Sequence, residues 1–78
     1  MPTILRMGPY RLFFYSSDGD EPIHIHVERE DMLAKFWLEP VRLQESGGFN
    51  RSEIVKIQRI VFEHRNTLIE AWNEYFSN

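Results

Sequence analysis

Two of the three histidines in this 78-residue chain lie two residues apart, in the segment EPIHIHVERE at residues 21–30. His24 and His26 belong to a run in which apolar and polar residues alternate, and this period is typical of a half-buried β-strand. Alternate residues of a strand share one face and lie about 6.6 Å apart along it. Two imidazoles at this spacing could hold one zinc or other divalent metal ion, or serve as base and acid in RNA cleavage without a metal.

A metal ion would need a third protein ligand, and Glu28 is too far along the strand from His24 to share one ion with it. The nearest carboxylates belong to the loop before the strand or to another strand. The loop offers three of them, Asp18, Asp20 and Glu21.

The segments that must position these histidines predict a mainly antiparallel sheet of four to five strands. They are rich in β-branched and aromatic residues, and turn residues such as Gly8-Pro9 and Glu39-Pro40 separate them. The predicted strands are residues 3–7, 10–15, 23–29 and 32–38, with a short edge strand at 41–43.

From Asn50 onward the pattern changes to that of an amphipathic helix. Asn50 and Glu53 have the spacing of a capping box, and apolar residues then recur at steps of three and four up to Phe76. A second capping box at Thr67 offers a break, but the unbroken phase favours one continuous helix. We therefore expect one α+β domain over 1–78, a two-layer fold with the sheet in 1–44 and helix in 50–76.

The length of such a helix predicts association with another chain. Residues 51–76 would form a straight helix about 39 Å long, whereas strands of six or seven residues span only about 20–23 Å. The overhanging part would carry Trp72, Tyr75 and Phe76. Unless the helix bends back, these aromatic residues need a partner, so we predict that they form an interface.

The sheet face that carries both histidines should also gather cationic and aromatic residues from the neighbouring strands. These are Arg11, Phe13, Tyr15, Lys35 and Trp37. The favoured interpretation is an interface with a second copy or with a small cognate protein. RNA binding or cleavage, a metal site, and merely solvated histidines are the alternatives, so the residues leave open whether the chain is an enzyme.

Composition limits the choice further. The net charge of −3 argues against a broad nucleic-acid-binding surface, although a local basic patch could still bind RNA. Without cysteine the small core has no disulfide to support it, which leaves a partner or a metal ion. No cofactor is required by any motif. No apolar run is long enough for a transmembrane span and the N-terminus lacks the pattern of a signal peptide, so we expect a cytoplasmic protein without membrane contact.

Three stretches together resemble a known family: MPTILRMGPYRLFFYSSDGDEPIHIHVERE, AKFWLEPVRLQESGGFNRSEI and LIEAWNEYF. The chain is similar over nearly its whole length to small bacterial and archaeal proteins called domain of unknown function 4160. It departs from them at Ile23, where a second proline after Pro22 is expected. The resemblance implies one half of a type II toxin–antitoxin pair, as toxin or as antitoxin. For a toxin, it would point to RNA cleavage with His24 as base, His26 as acid, and Arg11 or Lys35 stabilising the charge.

Overall fold

The computed structural model describes residues 3–77, which form a five-stranded antiparallel sheet followed by two helices. The strands pair in chain order, so that β1 and β5 are the outer strands. This arrangement confirms the predicted α+β fold class. The elements are β1 (Thr3–Met7), β2 (Tyr10–Phe13), β3 (His24–Arg29), β4 (Met32–Leu38), β5 (Val41–Glu45), α1 (Arg51–Glu63) and α2 (Arg65–Phe76).

The strand register separates the two faces of the sheet as the alternation predicts. Leu12 pairs with Val27, and Val27 with Ala34, on the face that the helices cover. On the opposite face His26 lies between Phe13 and Lys35. We call this second side the histidine face.

The hydrophobic core lies between the sheet and the helices. It contains apolar and aromatic side chains that are at most 8% exposed, contributed by every strand from β2 to β4 and by both helices. Its members are Tyr10, Leu12, Phe14, Ile25, Val27, Ala34, Phe36, Leu38, Phe49, Ile54, Ile57, Val61, Leu68 and Trp72.

Helix α1 begins at the predicted cap. The side chain of Asn50 accepts a hydrogen bond from the backbone N–H of Glu53 at 2.9 Å. The carboxylate of Glu53 turns to the sheet instead of back to the cap, accepting from the Tyr10 hydroxyl at 2.8 Å and from Nη2 of Arg29 at 3.0 Å. The start of α1 is therefore held to the sheet by a polar cluster.

The expectation of one continuous helix is wrong, because the helical segment breaks at His64. This residue leaves helical geometry with φ −107° and ψ 15°, three residues before the break considered at Thr67. Helix α1 alone is about 20 Å long, which matches the strands beneath it. In α2 the rings of Trp72, Tyr75 and Phe76 gather around Phe14 with centroid distances of 5.3–5.4 Å. These aromatic residues therefore pack within their own chain. Among residues 3–77, neither helix is long and apolar enough to cross a bilayer.

Candidate functional site

A loop between β2 and β3 folds over the histidine face and places a carboxylate on both imidazoles. The loop contains a single 3₁₀ turn, Asp18–Asp20. Oδ2 of Asp18 lies 3.0 Å from Nε2 of His24 and 3.3 Å from Nε2 of His26. The same oxygen accepts a hydrogen bond from the backbone N–H of Tyr15 at 2.8 Å, which fixes its position. Of the three loop carboxylates considered as a third ligand, Asp18 is therefore the one that lies against both histidines.

The tautomer of His24 follows from its second ring nitrogen. Nδ1 lies 2.9 Å from the carbonyl oxygen of Pro22, and because a carbonyl can only accept, Nδ1 carries the proton. In the neutral ring Nε2 therefore presents a lone pair. The Nε2 atoms of both His24 and His26 are buried and make no aligned hydrogen bond to any group in residues 3–77. Their contacts with Asp18 are close but are not directed N–H···O bonds.

Burial and charge shift the acid–base properties of this cluster. Burial alone would raise the pKa of the Asp18 carboxyl, but the Tyr15 N–H and the neighbouring His24, in its protonated form, more than offset this effect, so the pKa lies below its ordinary value. The pKa of His26 is lowered by burial first and by the neighbouring His24 second. The folded protein thus favours an ionised Asp18 beside a neutral His26.

The two imidazoles differ in their access to solvent. His24 is completely buried, and the Trp72 ring packs against it with a centroid distance of 5.0 Å. His26 keeps 12% of its side chain exposed and is stacked on Phe13 at 5.4 Å. A base and an acid that cleave RNA must both reach the phosphodiester, and His24 does not. The geometry therefore favours ion binding or a structural role over RNA cleavage.

The structure brings the predicted binding residues to the histidine face, but their charges are already paired. Nε of Arg11 lies 2.8 Å from the Glu28 carboxylate. Nζ of Lys35 lies 2.6 Å from the Glu21 carboxylate. These carboxylates reduce the positive potential that an RNA backbone would require.

The aromatic members of this face form edge contacts around the two histidines. The Tyr15 ring lies 4.9 Å from that of His26, and the Trp37 ring lies 5.8 Å from that of His24. Phe13 is only 1% exposed beneath them. The five predicted binding residues therefore do lie together, as a small packed layer rather than as a bare platform for bases.

The aromatic residues predicted to form an interface divide into two environments. Trp72 is 5% exposed, covered by Phe14 and His24 of its own chain. Phe76 is partly buried against the same core, whereas Tyr75 is 47% exposed. Among the three, Tyr75 alone offers a large free surface.

The sequence analysis missed an apolar surface where β5 meets α1. Leu43, Val55 and Phe62 are 36%, 56% and 51% exposed. Val55 and Phe62 line a groove there, together with Val41, Gln58 and Arg59. We call this the β5–α1 surface. The available signal was that Val55 and Phe62 lie outside the apolar stripe of the helix, where a solvated helix face would carry polar residues.

Comparison with known proteins gives one match. A family model described as "Domain of unknown function (DUF4160)" matches residues 10–73, which include both histidines, Asp18 and most of the two helices. No curated protein and no solved structure matches the chain.

Proposed function

Because the chain belongs to the DUF4160 family, whose description assigns no activity, we propose a function from its surfaces: a protein-interaction module that forms a homodimer through the β5–α1 surface. In this proposal the dimer is one component of a type II toxin–antitoxin pair and also binds a small cognate protein. The toxin–antitoxin role comes from the resemblance in sequence. The observation that carries the interaction role is the apolar surface beside an outer strand.

An outer strand with apolar neighbours is well suited to pairing with another chain. Within residues 3–77 no strand pairs with the outer edge of β5, so its backbone groups are available for a further strand. Val55 and Phe62 extend the apolar area from the sheet edge onto α1. The guanidinium of Arg65 lies over one side of the Phe62 ring at 4.0 Å and helps to hold it in place.

The charges of β5 favour a second copy of the same strand as the occupant. Arg42 and Glu45 lie at opposite ends of the exposed part of β5. If two copies pair antiparallel, Arg42 of one copy can lie opposite Glu45 of the other, and the two-fold symmetry makes this pair twice. Opposite charges directly across a strand pair are stabilising, so the strand is complementary to itself.

The experiment is a measurement of mass in solution by light scattering or sedimentation. We expect the untagged chain at about 100 µM to have twice the 9.4 kDa mass of one chain, a concentration at which a Kd of about 10 µM gives mostly dimer. The double substitution of Val55→Ser with Phe62→Ser should give a monomer, since it removes apolar groups of the proposed interface. Both side chains are exposed in the single chain, so the monomer should stay folded. Tyr75→Ser is the matched control, an equally exposed aromatic residue on the other helix, and should leave the dimer unchanged.

Two results would contradict the proposal. A wild-type monomer at this concentration would remove the homodimer. A dimer that survives Val55→Ser with Phe62→Ser but dissociates in Tyr75→Ser would move the interface to the aromatic residues of α2, where the sequence predicts it.

A further inference from the structure

We propose that Asp18, His24 and His26 bind one divalent transition-metal ion, with zinc the best match to the ligand set. The site lies on the histidine face, away from the β5–α1 surface, and does not depend on the proposed dimer. Two imidazole nitrogens and one carboxylate oxygen are a common protein ligand set for zinc. One atom from each of the three residues lies within 4.8 Å of the others.

The distances between the ligand atoms fit a tetrahedral ion. With metal–ligand bonds of 2.0–2.1 Å, neighbouring ligand atoms of a tetrahedron lie about 3.3 Å apart. Oδ2 of Asp18 lies 3.0 Å from Nε2 of His24 and 3.3 Å from Nε2 of His26. Two of the three ligand–ligand distances therefore already match those around a tetrahedral ion, and the third is at most 4.8 Å.

The hydrogen bonding of His24 prepares its Nε2 to be a metal ligand. Its Nδ1 donates to the Pro22 carbonyl, and this is how proteins orient a metal-binding imidazole and direct its lone pair at the ion. The ring is completely buried, so Nε2 cannot turn to bulk solvent. A lone pair held 3.0 Å from a carboxylate oxygen is repulsive unless a proton or a metal ion lies between them.

A protonated histidine pair explains the contacts less well. An imidazolium at His24 would need its Nε2 proton to point at Asp18, but neither Nε2 atom has an aligned acceptor within residues 3–77. Two adjacent positive rings would also repel each other across a centroid distance of 5.1 Å. Close ligand atoms without hydrogen bonds to one another are the normal arrangement around a shared ion, because each lone pair is directed at the ion rather than at a neighbouring ligand.

The ion would attach the β2–β3 loop to the sheet. Asp18 comes from the 3₁₀ turn, and both histidines come from β3, so one ion joins two segments of the chain. A chain of 78 residues without cysteine has no disulfide for this purpose. Three protein ligands leave the fourth position of the tetrahedron to water or to an atom of a bound partner.

The test uses the untagged full chain, stripped of metal with a chelator and titrated with ZnCl₂ and, separately, with CoCl₂. We expect one ion per chain, a zinc Kd below about 1 µM, a higher melting temperature with zinc, and the visible absorption of tetrahedral cobalt. Asp18→Asn and His26→Gln should each weaken zinc binding by about 100-fold or more. His64→Gln, which changes the third histidine of the chain, is the matched control and should bind as tightly as the wild type.

Circular dichroism of each metal-free variant establishes that it is folded. Asp18 lies in a loop and His26 is partly exposed, so at least His26→Gln should keep the fold intact. A wild-type zinc Kd weaker than about 100 µM, or equal affinities for the wild type and His26→Gln, would overturn the proposal. Equal loss of binding in His64→Gln and His26→Gln would also overturn it, since the binding would then not be specific to this cluster.

Discussion

A substitution in the loop that joins β5 to α1 gives the sharpest test of how the β5–α1 surface is held in place. Gly47 in this loop has φ +59°, and its carbonyl accepts a hydrogen bond from the Leu33 N–H at 3.2 Å. A Cβ atom on Gly47 would overlap the backbone carbonyl of Leu33. Because the obstacle is backbone within a paired strand, it cannot move aside as a flexible side chain would.

The cost of Gly47→Ala has two parts. A non-glycine residue at a left-handed φ costs about 1–2 kcal/mol, and forcing a methyl group into a filled space costs about 1–3 kcal/mol more. We expect the free energy of unfolding to fall by about 2–5 kcal/mol. For a domain of this size each kcal/mol corresponds to about 4–8 °C in the melting temperature.

Gly8→Ala separates the two parts. Gly8 has a similar φ of +56°, but a Cβ atom there would meet nothing within 4 Å. Urea unfolding should therefore show a loss of about 1 kcal/mol for Gly8→Ala and a clearly larger loss for Gly47→Ala. Equal losses in the two variants would refute the close approach between Gly47 and Leu33.

Three further predictions concern the attachment of α1. Asn50→Ala should reduce the free energy of unfolding by about 1 kcal/mol in urea titrations, because it removes the cap on the Glu53 N–H. Glu53→Ala should reduce the free energy of unfolding by about 2–3 kcal/mol in the same measurement, since it leaves the Tyr10 hydroxyl and Arg29 without their shared acceptor. The control is Glu63→Ala at an exposed position, which should change this free energy by less than about 0.5 kcal/mol. The pKa of Tyr10 is raised above 10.0, by burial first and by Glu53 second, so folding favours the neutral phenol. The stability that this phenol contributes should be complete below pH 10 and lost as the pH rises through the raised pKa. An ultraviolet titration should show this late ionisation in the wild type and not in Tyr10→Phe.

The strands could be predicted because their signals are local. The predicted bounds of β1 and β4 agree with the structure, since turn residues punctuate both ends of each. β2 ends at Phe13 rather than at residue 15, because Phe14 and Tyr15 already belong to the loop that carries Asp18. β5 continues to Glu45, two residues beyond its apolar part, because pairing with β4 and not hydrophobicity defines its end.

The break at His64 and the selection of Asp18 could not be predicted in the same way. The apolar stripe keeps its phase through His64, so nothing in the local period marks the break. The aromatic residues that follow the break contact Phe14, which lies far from them in sequence. Likewise, three carboxylates in one loop are equivalent in sequence, and only the closed loop shows which one meets the histidines.

The break in the helix also decides which surfaces are left for function. Helix α2 places Trp72 against His24 and the Phe76 ring beside Gly19 of the 3₁₀ turn, so the same helix covers one ligand of the proposed metal site and supports the loop that supplies another. Trp72 and His24 are therefore closed to a partner, at 5% and 0% exposed. The residues most free to bind another chain are instead those of the β5–α1 surface. The fold therefore separates the cluster of Asp18, His24 and His26 on one face of the sheet from an open apolar surface at its edge, and the two can be altered independently.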